Sequence, residues 1–311
     1  MSAIPFKIAV TGARGMLGAA ILSRFSEHFS IYATSREKGI CKENINWDLF
    51  DLADTKKLTK WLLENKPDVV IHCAAMVNVD ECEKEMVRAE QLHIESTRFI
   101  AQTISSWHGR LVYISTDAVF DGKKTGLYAE SDSVSPLSAY GRTKYLGEVE
   151  TLQASNHNLV LRTTLIGHQK IAARVSFSDW LIDGLYHQKP LLLFSDVMFT
   201  PIHVTHFSNI LFNLLTSDKK ISGLFHLSGN TTLSKYEFGV QLANEFGFCT
   251  ACISSVTLEN TKLIASRSKN MMLSNAKLTN KINVSFPVVR DAIAQLKSEY
   301  LHNLREKNER N

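Results

Sequence analysis

The feature that most constrains the fold is a regular alternation of short apolar runs and longer stretches with helical periodicity. The apolar runs, at residues 7–11, 30–34, 69–72, 110–115 and 159–162, predict β-strands. The helical stretches follow at residues 15–27, 55–64, 84–107 and 139–153. Strands joined through helices pair in parallel, and continuously apolar strands are covered on both faces. The pattern therefore predicts an α/β fold built on a doubly wound parallel sheet.

Three regularly spaced glycines follow the first predicted strand. Gly12, Gly15 and Gly18 lie where a strand gives way to a helix, so the backbone can turn tightly and approach a pyrophosphate at the helix N-terminus. This context predicts a dinucleotide site in a Rossmann-like fold, with a merely structural turn as the alternative. The residues between the glycines that we expect to contact the dinucleotide are Arg14, Met16 and Leu17.

The end of the second predicted strand indicates which dinucleotide is bound. An acidic residue there would accept hydrogen bonds from the free ribose hydroxyl of NAD(H). This chain has Ser35 and Arg36 instead, and Arg14 stands in the glycine loop. Two guanidinium groups can meet a 2′-phosphate, and no carboxylate is expected at the strand end to repel it. NADP(H) is therefore the predicted cofactor, with NAD(H) as the alternative.

Tyr140 is the one tyrosine of the chain with a lysine four residues later, and on a helix the two side chains share a face. A phenol with a pKa of ~10 is a poor proton donor at neutral pH, but an ammonium within ~4 Å favours the phenolate. We therefore predict that Lys144 lowers the pKa of Tyr140 toward neutrality and that both residues are catalytic.

Polar side chains end the fourth predicted strand, at the edge where open α/β sheets bind ligands. Thr116 is the preferred hydrogen-bond donor to a carbonyl that is being reduced, and Ser115 is the reserve. A strand-end hydroxyl that only caps its own loop is the alternative. Asp117 fits either a ligand contact or a turn.

Composition and charge narrow the function further. The net charge of +4 over 311 residues is small and dispersed, which argues against nucleic-acid binding. Five cysteines without framework spacing indicate a reduced, cytoplasmic setting, and Cys249 and Cys252 lack the second half of a zinc site. No window has the length and hydropathy of a membrane span, so we expect no membrane association.

The strand–helix alternation loosens after residue 162. Helical periodicity returns at residues 204–215 and an apolar run at 224–227, so part of the segment 200–230 is expected to return to the sheet. We assign residues 1–165 to the NADP(H)-binding Rossmann domain and residues 166–311 mainly to a smaller, C-terminal substrate-binding lobe. In that lobe, Ser234 followed by Glu237 predicts a capping box at a helix start.

Several of these motifs together resemble the dTDP-4-dehydrorhamnose reductase family of extended short-chain dehydrogenases. The most specific stretch is Ser-Thr-Asp-Ala-Val-Phe-Asp-Gly at residues 115–122. It is accompanied by the glycine loop, Ala-Ala at 74–75, the Tyr140 and Lys144 pair, Leu-Arg-Thr at 161–163, the run at 225–230 and Lys-Tyr-Glu-Phe at 235–238. The resemblance spans nearly the whole chain.

The resemblance implies hydride transfer from NADPH to the C4 carbonyl of a nucleotide-activated 4-keto-6-deoxy sugar. By position it makes Thr116, Tyr140 and Lys144 the catalytic trio, with Tyr140 as proton donor and Lys144 also holding the nicotinamide ribose. The further cofactor contacts that it implies are Asp48, Leu49, Cys73, Ala74 and Ala75. The sugar contacts that it implies are Ser115, Asp117, Val119, Phe120, Thr164 and Leu165. A homodimer is expected at family level.

The chain departs from the family pattern at several positions. Leu165 replaces a tryptophan near the sugar, and the segment 196–202 lacks a glutamine and a glycine that are usual there, which leaves open whether the sugar is dehydrorhamnose. His93 stands where an asparagine often braces the water chain of the active-site lysine, and we expect it to make one such bond. Ala20 replaces a glutamate of a magnesium-bridged dimer, so no metal is predicted.

Two other functions of this fold are consistent with the same motifs. One is the non-catalytic, NADP-binding regulatory β subunit of methionine adenosyltransferase, which resembles the chain at residues 228–230 and 235–237. The other is a nucleotide-sugar epimerase, which returns the hydride to the sugar. Net oxidation of NADPH distinguishes a reductase from both.

Overall fold

The computed structural model of the protein describes residues 6–169, 175–282 and 284–309. The strands in this part of the chain are β1 (Lys7–Thr11), β2 (Ser30–Ser35), β3 (Ile45–Leu49), β4 (Val69–His72), β5 (Arg110–Ile114), β6 (Leu159–Arg162), β7 (Leu165–Ile166), β8 (Leu191–Phe194), β9 (Met198–Phe199), β10 (Ile202–His203), β11 (Gly223–His226), β12 (Leu233–Ser234), β13 (Ile253–Val256) and β14 (Asn270–Met271).

The α-helices of the same described ranges are α1 (Met16–Phe25), α2 (Thr55–Asn65), α3 (Val79–Lys84), α4 (Met86–Glu90), α5 (Ser96–Ser105), α6 (Ala139–Ala154), α7 (Phe177–Tyr186), α8 (Val204–Thr216), α9 (Lys235–Phe246), α10 (Ala276–Thr279) and α11 (Val289–Glu309). A π-helical turn (Gln91–Glu95) joins α4 to α5, and short 3-10 turns lie at Asp117–Val119 and Leu258–Asn260. No helix of the described residues has the length and hydropathy to cross a membrane.

The central sheet contains seven parallel strands in the order β11-β6-β5-β4-β1-β2-β3 within the described chain. The strand order reverses beside β1, which pairs with both β2 and β4. The carboxyl ends of β1, β4 and β5 therefore meet at one edge, which is where open α/β sheets bind ligands. The predicted doubly wound parallel sheet of the Rossmann type is confirmed.

Helices cover both faces of this sheet. On one face α1 and α8 pack over Val10, with Phe207 of α8 fully buried. On the other face α2 and α5 pack over Ala9, with Leu58 of α2 fully buried. Successive residues of β1 thus enter two apolar cores, which explains why its sequence is continuously apolar.

A second core lies in the C-terminal part of the chain. It joins α7, α9 and α11 around β8 and β9, and Leu181, Leu193 and Phe238 are fully or almost fully buried there. The predicted capping box of α9 is confirmed, because Ser234 Oγ accepts the Glu237 N–H (3.1 Å) and the Glu237 carboxylate accepts the Ser234 N–H (2.7 Å). The division of the chain into domains at residue 165 stays a prediction.

The helical stretch predicted over 84–107 is confirmed for residues 86–105, although it is divided by a π-helical turn. The chain forms α3 and α4, then the π-helical turn, and only then α5. The first of these begins early because the Asn78 side chain accepts the N–H groups of Asp80 (3.0 Å) and Glu81 (3.2 Å). The π turn widens the helix by one residue per turn, and it places His93 fully inside the protein.

Candidate active site

The glycine loop leaves room for a dinucleotide phosphate. Gly12 has a φ of +62°, and a Cβ atom there would lie 2.7 Å from the backbone N of Ala74, so the ends of β1 and β4 approach closely only because residue 12 is glycine. The N-cap of α1 is Gly15, which offers no side-chain cap, and its first turn carries no acidic residue. Its N–H groups are therefore open to an anion, as a pyrophosphate requires. The residues present fit the predicted cofactor.

Buried polar contacts hold the end of β4 beside this loop. The Thr11 hydroxyl lies 2.6 Å from Nδ1 of His72 and accepts the Ala74 N–H (3.4 Å). Burial lowers the pKa of His72 to about 3, so the imidazole is neutral. Burial likewise raises the pKa of the Cys73 thiol to about 12. Cys73, Ala74 and the half-buried Ala75 thus line the predicted cofactor side as neutral groups.

Arg14 and Arg36, the arginines predicted to select NADP(H), lie at the same edge of the sheet. The Ala13 N–H donates to the Thr34 carbonyl (3.1 Å) and so joins the glycine loop to the end of β2. The expectation that no carboxylate stands there is wrong. Glu37 forms an ion pair with Arg14, while Arg36 remains exposed. Glu37 was not predicted from the sequence because it lies beyond the end of β2, two residues after Ser35.

The other predicted cofactor residues differ in exposure. Leu49, at the end of β3, is 53% exposed, and the Asp48 carboxylate accepts a hydrogen bond from the Trp61 indole (2.9 Å). Leu17 points into the core, so only its backbone can meet a phosphate, whereas Met16 is partly buried. The Ser35 hydroxyl donates to the Glu37 carbonyl and thereby shapes the same turn as the ion pair.

Thr116 and Tyr140 come together at the carboxyl edge of the sheet. Thr116 Oγ1 accepts the Ala118 N–H (3.1 Å), and its hydroxyl donates to Asp117 Oδ1 (3.0 Å). The start of α6 lies against this turn, because a Cβ atom at Gly141 would be 2.2 Å from the Ala118 carbonyl oxygen. Burial raises the pKa of the Tyr140 phenol above its ordinary value, the nearby Thr116 hydroxyl opposes this rise, and the Asp117 charge adds to it.

Lys144 is buried one turn after Tyr140. Its ammonium donates to the Ile114 carbonyl (2.6 Å) and lies 4.0 Å from the centroid of the Tyr113 ring. Burial lowers the pKa of Lys144 to about 7, although the Glu148 charge opposes the change. The expectation that Lys144 brings the pKa of Tyr140 toward neutrality is wrong for this arrangement, because the ammonium binds a carbonyl and the loss of water around the phenol dominates.

We expect the buried Lys144 to make the stability of the protein rise with pH. Its pKa of about 7 lies below the ordinary value of 10.5, so between these values the unfolded chain binds more protons than the folded one. The buried Cys73 thiol and Tyr140 phenol, whose pKa values are raised, act in the opposite sense at the alkaline end of this range. The free energy of unfolding of the wild type relative to that of Lys144→Met, measured by urea denaturation, should therefore increase over the range. The control Lys60→Met removes an exposed lysine and should follow the wild type. Identical pH profiles for Lys144→Met and the wild type would contradict the prediction.

Of the predicted sugar contacts, Val119 and Phe120 are fully buried in a small core with Tyr128, and the Phe120 and Tyr128 rings stack at 4.1 Å. They present no side-chain surface to a ligand as they stand, so this packing does not favour their predicted role. Thr164 donates to the Asp117 carboxylate, whose pKa burial raises while that bond opposes the rise. Leu165 is half-buried in β7.

A family model described as the RmlD substrate binding domain matches residues 6–302. The chain belongs to this family. The predicted resemblance is therefore confirmed over almost the whole sequence. A probable low-salt glycan biosynthesis reductase of Haloferax volcanii is 26% identical over 293 residues, which cover 94% of this chain and 97% of that protein.

Other relatives of this RmlD-family chain include a subunit of a methionine adenosyltransferase. Subunit β of methionine adenosyltransferase 2 from Rattus norvegicus is 27% identical over 288 residues, covering 88% of this chain and 81% of that protein. A solved dTDP-4-dehydrorhamnose reductase of Bacillus anthracis, in complex with NADP, superposes with a TM-score of 0.85 at 23% identity. The superposition covers 95% of this chain and 100% of the Bacillus anthracis chain, and it shows that the two chains share a fold.

A buried ion pair that was not predicted from the sequence lies beside Ser115, just after the end of β5. Glu148 of α6 accepts hydrogen bonds from Arg162 Nε (2.9 Å) and Nη2 (2.6 Å), and both side chains are 2% exposed. Ser115 donates to the same carboxylate, so its hydroxyl is engaged inside the protein and its reserve role as a sugar contact is not favoured. The signal in the sequence is the position of Glu148 four residues after Lys144, which puts both on one helix face.

His93 uses both ring nitrogens inside the protein, which does not favour the expected bond to the water chain of Lys144. Its Nε2 accepts the Met76 N–H (2.9 Å), so Nδ1 carries the proton and donates to the Thr143 hydroxyl (2.8 Å). Burial lowers the pKa of His93 to about 2, and the Lys144 charge adds to this effect. Both ring nitrogens are thus occupied, and the ring meets Tyr140 edge-on with centroids 5.9 Å apart.

Proposed function

We infer that this chain is an NADPH-dependent reductase of a nucleotide-activated 4-keto-6-deoxy sugar. The observation that carries the inference is the meeting of the Thr116 hydroxyl and the Tyr140 phenol at the edge of the sheet that also carries the glycine loop. A hydroxyl and a phenol at this edge can bind one carbonyl oxygen, next to a phosphate-binding helix N-terminus. Membership of the RmlD family and the kinship with a glycan biosynthesis reductase support the same class of substrate.

The reaction requires one hydride and one proton. NADPH, when bound, supplies the hydride, and the residues that would hold it are the glycine loop, the end of β4 and Arg14. Thr116 and Tyr140 polarise the sugar carbonyl. As the C–H bond forms, the C=O π electrons move to oxygen, which takes the Tyr140 proton to give the alcohol. A phenol with a raised pKa keeps its proton until the oxygen becomes strongly basic, so it suits a proton donor.

Lys144 has two tasks in this proposal. We expect its ammonium to leave the Ile114 carbonyl for the nicotinamide ribose, as the family resemblance implies. In that position its charge also stabilises the phenolate that proton transfer leaves on Tyr140. The buried Glu148, four residues later, keeps a negative charge close enough to favour the ammonium form.

A regulatory NADP-binding subunit is the second candidate, favoured by the 27% identity to the methionine adenosyltransferase subunit. The deciding experiment incubates the purified chain with NADPH and a panel of dTDP- and UDP-linked 4-keto-6-deoxyhexoses, and follows the NADPH absorbance. Steady oxidation supports the reductase. Tight NADPH binding without oxidation on any sugar supports the regulator, and interconversion of sugars without net oxidation supports an epimerase.

The ion pair between Glu37 and Arg14 makes a prediction about cofactor preference. Glu37→Gln should tighten NADPH binding by about two- to five-fold, because exposed charge interactions contribute ~0.2–1 kcal/mol and the freed Arg14 can meet the 2′-phosphate. NADH binding should change little, and Arg36→Ala should weaken NADPH selectively. Calorimetric titration measures the dissociation constants of NADPH and NADH for each variant.

The matched control for this prediction is Glu43→Gln, which removes another exposed carboxylate after β2. It should leave the ratio of the NADPH and NADH dissociation constants unchanged. If Glu37→Gln and Arg36→Ala also leave this ratio unchanged, the proposed 2′-phosphate site is wrong.

A cytoplasmic location and a homodimer stay predictions.

A further inference from the structure

The ammonium of Lys235 is shielded from water, and no carboxylate of the described residues forms an ion pair with it. Lys235 is the half-buried first residue of α9. Its ammonium lies 3.3 Å from the centroid of the Phe199 ring and 4.7 Å from that of Phe177. Burial lowers its pKa to about 8. Two aromatic faces attract a cation but offer no lone pair, so among the described residues the three N–H donors have no hydrogen-bond acceptor.

The charge that Lys235 faces is Asp117. Asp117 opposes the lowering of the Lys235 pKa, and Lys235 in turn opposes the rise in the Asp117 pKa. The two groups attract each other without ion-pair contact, and the Asp117 oxygens already accept hydrogen bonds from Thr116 and Thr164. The ammonium therefore lies across a gap from the strand end that carries Thr116.

The backbone fixes the position of this ammonium. The Lys235 N–H donates to the Val197 carbonyl (3.1 Å), and the preceding strand pairs Leu233 with Phe199. The capping box at Ser234 sets the first turn of α9. A donor held in this way is organised before a ligand arrives, which favours its use in recognition.

The segment that holds Lys235 is one in which the chain departs from its family pattern. Residues 196–202 lack the usual glutamine and glycine, and this segment supplies both the Val197 carbonyl and the Phe199 ring. Val197 stands in place of the glutamine and Phe199 in place of the glycine, so these two side chains offer no polar contact, and the Phe199 ring lies against the Lys235 ammonium. The two changes therefore describe one altered recognition site.

We propose that Lys235 donates a hydrogen bond to a hydroxyl oxygen of the sugar, on the carbon next to the carbonyl, and thereby determines sugar specificity. The inference rests on the proposed function. The contact is to the sugar and not to the diphosphate, because Lys235 faces the residue that follows Thr116, where the carbonyl is bound. A desolvated ammonium left without an acceptor is costly, so a sugar that lacks this hydroxyl is rejected.

The test is calorimetric binding in the presence of saturating NADP⁺, with dTDP-glucose, dTDP-3-deoxyglucose and dTDP as probes. Lys235→Met should weaken the binding of dTDP-glucose by about 10- to 100-fold, since hydrogen bonds to charged groups contribute ~1.5–3 kcal/mol. Binding of dTDP and of the 3-deoxy sugar should change by less than about two-fold. UDP-glucose and UDP form a second pair in case the base is uracil.

Lys277→Met is the matched control, since Lys277 also lies over an aromatic ring (4.6 Å from the Phe225 centroid) but donates to the Leu224 carbonyl. It should bind all probes as the wild type does. Lys235→Gln keeps a neutral donor, so it should bind dTDP-glucose between wild type and Lys235→Met, and it serves if the methionine variant does not fold.

Three results would overturn the proposal. If Lys235→Met weakens the binding of dTDP and of dTDP-glucose equally, Lys235 contacts the diphosphate. If it weakens the binding of neither, Lys235 has only a structural role. A wild type that binds no sugar nucleotide would overturn both this proposal and the reductase. Normal sugar binding with a Lys235 effect but no NADPH oxidation would overturn the reductase alone.

Discussion

Tyr140→Phe is expected to reduce NADPH oxidation by about 10²- to 10⁴-fold, because it removes the one acidic proton that the proposed reaction takes from the protein. The loss should appear in kcat and in kcat/KM alike, since the phenol acts on charge that develops in the transition state. NADPH binding should be nearly unchanged. Initial rates with the best sugar of the panel, together with titration of NADPH, measure both effects.

The matched control is Tyr145→Phe. Tyr145 lies on the same helix, but it packs against the small core of Val119 and Phe120 instead of meeting Thr116. Its variant should keep turnover within a few-fold of the wild type. If Tyr140→Phe retains most of its activity, a proton source other than Tyr140 serves the reaction and the assignment is wrong. Thr116→Val should show a smaller loss, because Tyr140 still holds the carbonyl oxygen.

Glu148→Gln is expected to lower the free energy of unfolding by about 3–5 kcal/mol, the usual cost of removing one partner of a buried ion pair. The glutamine keeps most of the shape and can still bond Ser115. It nevertheless leaves the buried Arg162 guanidinium without a counter-charge, and Nη1 of that residue already has no hydrogen-bond partner in the described structure. Chemical denaturation followed by circular dichroism measures the change.

Two comparisons make this prediction specific. Glu150→Gln breaks the Arg98–Glu150 pair (2.8 Å), in which Arg98 is 45% exposed, and should cost less than ~1 kcal/mol. Replacing both buried partners, as Glu148→Leu with Arg162→Met, should cost less than Glu148→Gln alone because no charge remains unpaired. Similar losses in Glu148→Gln and Glu150→Gln would show that burial of the inner pair carries no energetic weight.

The sequence by itself determined the frame of the molecule. The continuously apolar strands report burial on both faces, which only a helix-covered parallel sheet provides. Gly12 is required by a positive φ, and the Thr116, Tyr140 and Lys144 spacing follows from strand ends and helical period, which are local properties. The edge strand β3 was missed because its pattern is mostly exposed, with Asn46 and Asp48 among its residues.

Only the tertiary structure decided which charges meet and what surrounds them. Glu37 pairs with Arg14, Glu148 pairs with Arg162, and Lys235 faces Asp117. In each pair, residues that are well separated in the sequence are brought together by packing. The same is true of pKa values, since the loss of water around Tyr140 raises its pKa more than the hydrogen bond with Thr116 lowers it. Desolvation and long-range contacts depend on where the whole chain packs, and no local pattern encodes them.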